Sequence, residues 1–171
     1  MAKQKDQEQD LLSTPPPTLE IVPFNNNPHV QTKGWDTSII VGLNINTSKK
    51  LTIDAHGKNL ALMSSEFNIK EDLTLSNGNI FIGGSNISVK QDFIIPNGAN
   101  VQIGSNLNQW LDMIKAKKVL VIDCNHNQIG YGSWDNNQLS LDYVSIPEFL
   151  GIQEQGREFL GNSSSIDVEI D

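Results

Sequence analysis

Between Leu51 and Ser105 one short phrase recurs three times at an interval of 20 to 22 residues, and that interval is the tightest constraint in the chain. Leu51-Thr52-Ile53, Leu73-Thr74-Leu75 and Phe93-Ile94-Ile95 open the three copies. Gly57, Gly78 and Gly98 fall in the turn after each, and Asn59, Asn79 and Asn100 each stand directly before a second alternating triplet. Those triplets are Leu60-Ala61-Leu62, Ile80-Phe81-Ile82 and Val101-Gln102-Ile103. A third triplet, Phe67-Asn68-Ile69, returns twenty positions later as Ile87-Ser88-Val89.

Such a period is too short for a strand-helix-strand unit of about 30 residues, and no helical spacing lies between the triplets. Apolar residues at alternate positions leave each short strand with one buried face. Three strands per period, broken by Gly, Asn and Ser, close into a triangular coil. One coil cannot cover its own interior, but a neighbour stacked about 4.8 Å away buries it and satisfies its backbone. The spacing therefore predicts an all-β chain built as a parallel β-solenoid. Equivalent residues should form ladders: Leu51, Leu73 and Phe93; Leu60, Ile80 and Val101; Leu62, Ile82 and Ile103. The asparagines at 59, 79 and 100 are expected to stack their amides at a turn, where the glycines supply a positive φ. The alternative is an antiparallel sandwich, because Asn77-Gly78 and Asn97-Gly98 are strong hairpin turns when taken singly.

Outside the repeat the pattern changes. Residues 1–34 hold Pro15-Pro16-Pro17 and Asn25-Asn26-Asn27, and read as a flexible tail with a short strand near Leu19-Glu20-Ile21-Val22. The solenoid is expected over 35–106, with Ser38 to Val41 and Leu43 to Ile45 leading in. Leu107, Trp110, Leu111 and Ile114 fall at helical spacing and predict a helix over 107–118 that caps the open end of the stack. Irregular strands or further coils should fill 119–161, and 162–171 reads as a loose acidic tail.

The net charge of −8 and pI near 4.7 argue against a nucleic-acid partner. Cys124 is the single cysteine, so neither an intrachain disulfide nor a cysteine-based zinc site can form. The first twenty residues contain no apolar leader, and no run approaches the roughly 18 apolar residues of a membrane span. Location stays open between a cell surface and a cytoplasm on these grounds.

The line from Ile69 to Ser105 resembles the haemagglutinin repeats of filamentous-haemagglutinin-like adhesins and of bacterial contact-dependent toxin-delivery proteins. The matching positions are Asp72-Leu73-Thr74-Leu75, Gly78, Ile80, Ile82, Gly84-Ser85 and Ile87, then Asp92, Gly98, Val101, Ile103 and Ser105. The likeness covers about residues 49–105. It implies a right-handed β-helix acting as a rigid stalk or adhesive rod, exported through an outer-membrane partner. The family's Gly-Gly-Asp turns are replaced here by Lys70-Glu71-Asp72 and Lys90-Gln91-Asp92, and Pro96 stands at a strand end.

Few residues suggest chemistry. Asp72 and Asp92 occupy equivalent places one coil apart, near the separation of about 5 to 5.5 Å used by retaining glycosidases, but Asp is also an ordinary turn former. Asp123-Cys124-Asn125-His126 puts a thiol and an imidazole close in sequence, whereas a catalytic Cys/His pair is usually distant in sequence. A metal site of three histidines would need His29, His56 and His126 to converge. Gly130-Tyr131-Gly132 lacks the Lys-Ser/Thr of a phosphate loop, and Gly83-Gly84-Ser85 reads as a coil corner. Trp35, Trp110 and Trp134 are expected to be buried rather than to stack on sugars, and the sequons at Asn46, Asn86 and Asn162 are unremarkable in so Asn-rich a chain.

These residues point to no catalysis and no cofactor. The repeat wording favours an adhesin-type solenoid that presents a binding surface to a protein or glycan ligand. The alternative is a self-assembling structural protein, such as a bactofilin-like cytoskeletal element or a phage-tail component, joined through its coil ends.

Overall fold

The computed structural model describes residues 19–21, 35–126, 128–145 and 168–170. It is a parallel β-solenoid of about three turns. Three strands set each coil. In the first coil β2 (Thr37–Val41) leads to β3 (Asn44–Thr47) and then to the opening half of β4 (Leu51–Met63). The closing half of β4 starts the second coil, which continues through β5 (Glu66–Ile69) and the opening half of β6 (Leu73–Gly83), whose closing half lies over that of β4. The last coil comprises β7 (Asn86–Val89), β8 (Phe93–Ile94) and β9 (Ala99–Gly104).

All contacts between successive coils are parallel. Leu51 lies over Leu73 and Leu73 over Phe93; Leu60, Ile80 and Val101 form one column, and Leu62, Ile82 and Ile103 another. On the second sheet Ile45, Phe67 and Ile87 align. This is the register the repeat predicts, and parallel pairing throughout excludes the antiparallel sandwich. Alternation explains it: a slip of one residue would turn every buried side chain to solvent. The inner column includes Leu51, Ile53, Leu60, Leu62, Phe67, Leu73, Leu75 and Ile80, all 0% exposed. Each such side chain contributes roughly 1.5–3 kcal/mol of apolar burial.

The turn within β4 is longer than its counterpart in β6, and the register shifts between Asp54 and Lys58 to absorb the difference. His56 and Gly57 there have φ of 55° and 74°, and Asn77 and Gly78 in the next coil have 64° and 142°. Gly78 is irreplaceable for a second reason: a Cβ would run into the carbonyl oxygen of Lys58.

The two ends of the stack differ. After β9 the chain forms a short helix, α1 (Leu107–Met113), capped by Asn106, whose side chain accepts from Gln109 N at 3.0 Å. The expected helix is there but shorter, and it does not cover the last coil. It lies on the outer face of the larger sheet, where Trp110 stacks on Phe81 with ring centroids 5.3 Å apart. Ile39, Ala61, Phe81, Trp110, Leu111 and Val121 make a second apolar core there. Phe81, the middle residue of its triplet, points outward and needed this cover.

Beyond the helix, β10 (Lys118–Asp123) pairs in parallel with β2, at the opposite end from where the helix began. It is followed by antiparallel β11 (Gln128–Asp135) and β12 (Gln138–Ser145). Two further strands complete that end. β1 (Leu19–Ile21) pairs with Leu51 to Ile53, and β13 (Val168–Ile170) pairs with β3. Both belong to segments read from sequence as flexible or loose, the rest of which lies outside the described residues. Each strand of the first coil therefore has a neighbour from elsewhere in the chain. Among the described residues, β7, β8 and β9 have none on their outer side.

Candidate functional site

Local patterning builds the last coil from the same residue types as the two before it, so its side chains are placed for burial that never comes. Phe93 is 42% exposed and Ile103 73%, although Leu73 and Ile82 directly beneath them are 0% and 3% exposed. Ile94 and Ile95 are exposed as well. The ladder expected through Phe93, Val101 and Ile103 is thus in register, but no described residue stacks on its top rung. Among the described residues this apolar coil end is ringed by three unpaired strand edges, an arrangement that natural sheets usually cover.

Polar ladders reach the same end. Asn100 donates to Asn79 at 3.3 Å, and Asn79 to Asn59 at 2.9 Å. At the next corner Ser85 Oγ accepts from Ser65 N at 3.0 Å, and Ser65 Oγ accepts from Leu43 N at 3.2 Å. Asp92 N donates to Asp72 Oδ1 at 3.1 Å. The two aspartates are therefore tied together as a coil corner: one carboxylate caps the amide of the next.

The outer face of the smaller sheet carries rows of polar side chains. Asn44, Glu66 and Asn86 align in one row, and Asn46, Asn68 and Ser88 in the other. Shallow clefts of about 160 and 360 Å³ run along them. Donors and acceptors recur there at the spacing of the coils.

The thiol and imidazole do not form a nucleophilic pair. Cys124 is fully buried in the inner core, and burial, reinforced by the nearby Asp123 carboxylate, pushes its thiol up to about 12. A thiol held protonated is a poor nucleophile and a poor ligand. His126 is exposed, and its Nδ1 contacts Asp123 Oδ2 at 2.9 Å. Asp123 also accepts the amides of Asn125 and His126, which makes the cluster a closed turn at the end of β10. His56 sits in the turn of β4, and His29 lies outside the described residues. No group of three or more His, Cys, Asp or Glu able to hold a metal occurs among the described residues.

Trp110 and Trp134 are buried in the outer core. Trp35 is half-buried against Tyr131, at 5.7 Å between centroids, with Lys118 Nζ at 5.9 Å from its ring. Burial was expected for all three, and Trp35 is the one partly open to solvent. No helix among the described residues is long and apolar enough to cross a membrane.

Sequence reasoning named the residues of the top rung but missed their exposure. The signal it lacked was the destination of the segment after Ser105, which depends on Phe81 and Trp110 meeting across long chain separation.

The fold defines the class: a short parallel β-solenoid with added strands beyond its first coil and, among the described residues, none beyond its last. No family model, curated protein or solved structure matches the chain.

Proposed function

We propose that this chain is a non-enzymatic structural protein that self-assembles through the open end of its solenoid. One observation carries the reading. The first coil is paired by β1, β10 and β13, whereas among the described residues β7, β8 and β9 of the last coil have no outer partner around Phe93, Ile95 and Ile103. Natural sheets protect such edges with charge, proline or a covering element. Here Lys90 and Asp92 flank the corner between β7 and β8, and Pro96 follows β8, but the strands themselves carry no charge, and their solvent-facing apolar side chains argue that the edge is meant to be covered.

The other free edges among the described residues are poorer candidates: β1 and β13 are three residues each, and β12 is charged. It carries Asp142, and Asp135 lies at the adjoining end of β11. Charges of one sign on facing strands repel, so this edge is the guarded one. Sedimentation of the wild-type chain and of Ile103→Lys at rising concentration tests the reading. The wild type should associate and the variant should stay monomeric. A wild type that remains monomeric, or association that survives Ile103→Lys, overturns it.

A second reading has its own support. The polar rows of the smaller sheet, with the resemblance to haemagglutinin repeats, favour an adhesin-type surface for a hydroxyl-rich glycan or a protein ligand. Glycan-array binding that disappears in Asn46→Ala/Asn68→Ala, with the protein monomeric throughout, is the result this reading expects.

A further inference from the structure

We infer that the open end takes a second copy of the same open end, and that the two chains close an isologous dimer with β9 antiparallel to β9 and Gln102 on the two-fold axis. This rests on the self-assembly reading and goes beyond it by fixing the partner, the symmetry and the register.

The outline of the surface selects the partner. Three strand edges surround one apolar interior, so a partner that satisfies them together must present a coil of similar cross-section. A second copy of this chain offers two ends. Its first coil carries one further strand at β1 and at β13 but three at β10, β11 and β12, and this uneven end offers no level coil for head-to-tail stacking. Its last coil is the end that remains. Contact between identical patches is isologous and closes at two subunits rather than growing into a filament.

The pleat then limits the register, and cover for Ile103 by Val101 selects within it. A two-fold axis perpendicular to the sheet keeps the solenoid interior on the same side in both copies and reverses the strand, so β9 meets its mate antiparallel. Directly opposed residues on antiparallel strands point to the same face. Val101 and Ile103 lie in line with the inward Ile80 and Ile82, while Gln102 lies in line with the outward Phe81. Inward residues must therefore oppose inward residues. With Gln102 on the axis, Val101 of each copy faces Ile103 of the other, which covers the most exposed apolar side chain of the coil end.

The hydrogen bonds agree. Asn59, which aligns with Asn79 and Asn100, donates its N–H to Asp36 O in the coil before at 3.1 Å. Backbone groups alternate in direction along a strand, so Val101 and Ile103 turn theirs outward, towards the open edge. Opposed across the axis they form a hydrogen-bonded pair, and Gln102 meets Gln102 as a non-hydrogen-bonded pair with Cα atoms about 4.5 Å apart. The triangular outline carries β8 of one copy towards β7 of the other, over Phe93.

The register can be tested with one thiol. A separation of about 4.5 Å lies within the disulfide range of about 4.4–6.8 Å. Gln102→Cys should therefore form a covalent dimer on mild oxidation, and the buried Cys124 should take no part. Asn68→Cys, an exposed position of β5, is the control and should stay uncrosslinked. Adding Ile103→Lys to Gln102→Cys should abolish the crosslink. Sedimentation of the wild type should show association that stops at two chains. Species that keep growing with concentration, or a dimer in which Gln102→Cys does not crosslink, overturn this inference while leaving self-assembly at the open end in place. A wild type that stays monomeric overturns both.

Discussion

The side-chain amide of Asn79 donates to the side-chain oxygen of Asn59 at 2.9 Å, across twenty residues of chain and one step of the stack. Asn59 passes the pattern on to Thr37 Oγ1 at 3.3 Å, and Thr37 donates to Asp36 at 3.1 Å. Asp36 also accepts the amides of Lys117 and Lys118. The donors all run one way, from the open end to a carboxylate that anchors the start of β10. Asparagine suits the rungs because its one planar group carries both a donor and an acceptor.

Removing the middle rung tests this chain of bonds. Asn79→Ala loses both contacts. Asn79→Asp can still accept from Asn100 but sets a carboxylate oxygen against the Asn59 oxygen, so it should be the worse of the two. Losses of about 1–3 kcal/mol are expected, in that order, from urea unfolding midpoints. Equal and negligible effects would make the ladder ornamental.

Two residues of one column should respond oppositely to the same change. Ile82 is 3% exposed and Ile103, one coil further, is 73% exposed. Ile82→Asp places an unpaired carboxylate in the core, at a cost of several kcal/mol, and should abolish the β signal in circular dichroism. Ile103→Asp should leave the spectrum of the monomer intact. Reversal of this order would contradict the stacking direction.

Ser38 and Thr47 are polar residues of the inner column, and of the two Ser38 lacks a hydrogen bond among the described residues. It aligns with Leu60 and is 0% exposed. A buried hydroxyl without a hydrogen bond costs about 1–3 kcal/mol on mutational scales. Ser38→Ala is therefore expected to be neutral or stabilising in thermal unfolding, where most core substitutions destabilise.

Cys124 gives a pH dependence with a definite sign. Its thiol titrates near 12 when folded, against an ordinary value of 9.0. The folded chain thus binds more protons than the unfolded one between those values. Its contribution to stability is complete below pH 9 and is lost as pH rises towards 12. Urea midpoints of wild type and Cys124→Ala, measured across that window, should converge as pH increases. At neutral pH a thiol reagent should label Cys124 only on unfolding.

The repeat made the solenoid legible because parallel stacking puts like residues over like, so the ladder Leu51, Leu73 and Phe93 could be written down from spacing alone. Turn glycines at 57, 78 and 98 were legible for the same reason, and all three have positive φ. Contacts that do not repeat were hidden. Nothing local to LNQWLDMIKAKK says that Trp110 meets Phe81 instead of lying over Ile103, or that Val119 to Ile122 returns to pair with β2. A helix with one apolar face could cover either surface, and the outward Phe81 decides between them. The exposed end followed from that choice, which is why its residues were named correctly and their burial was not.

Amide hydrogen exchange at Val101 and Ile103 decides whether the coil end is an interface, because their backbone groups face the open edge of the last coil. Protection at both amides that is strong in concentrated protein and lost on dilution is the predicted result. Equally fast exchange at every concentration would contradict it, and the coil end would then be simply a surface.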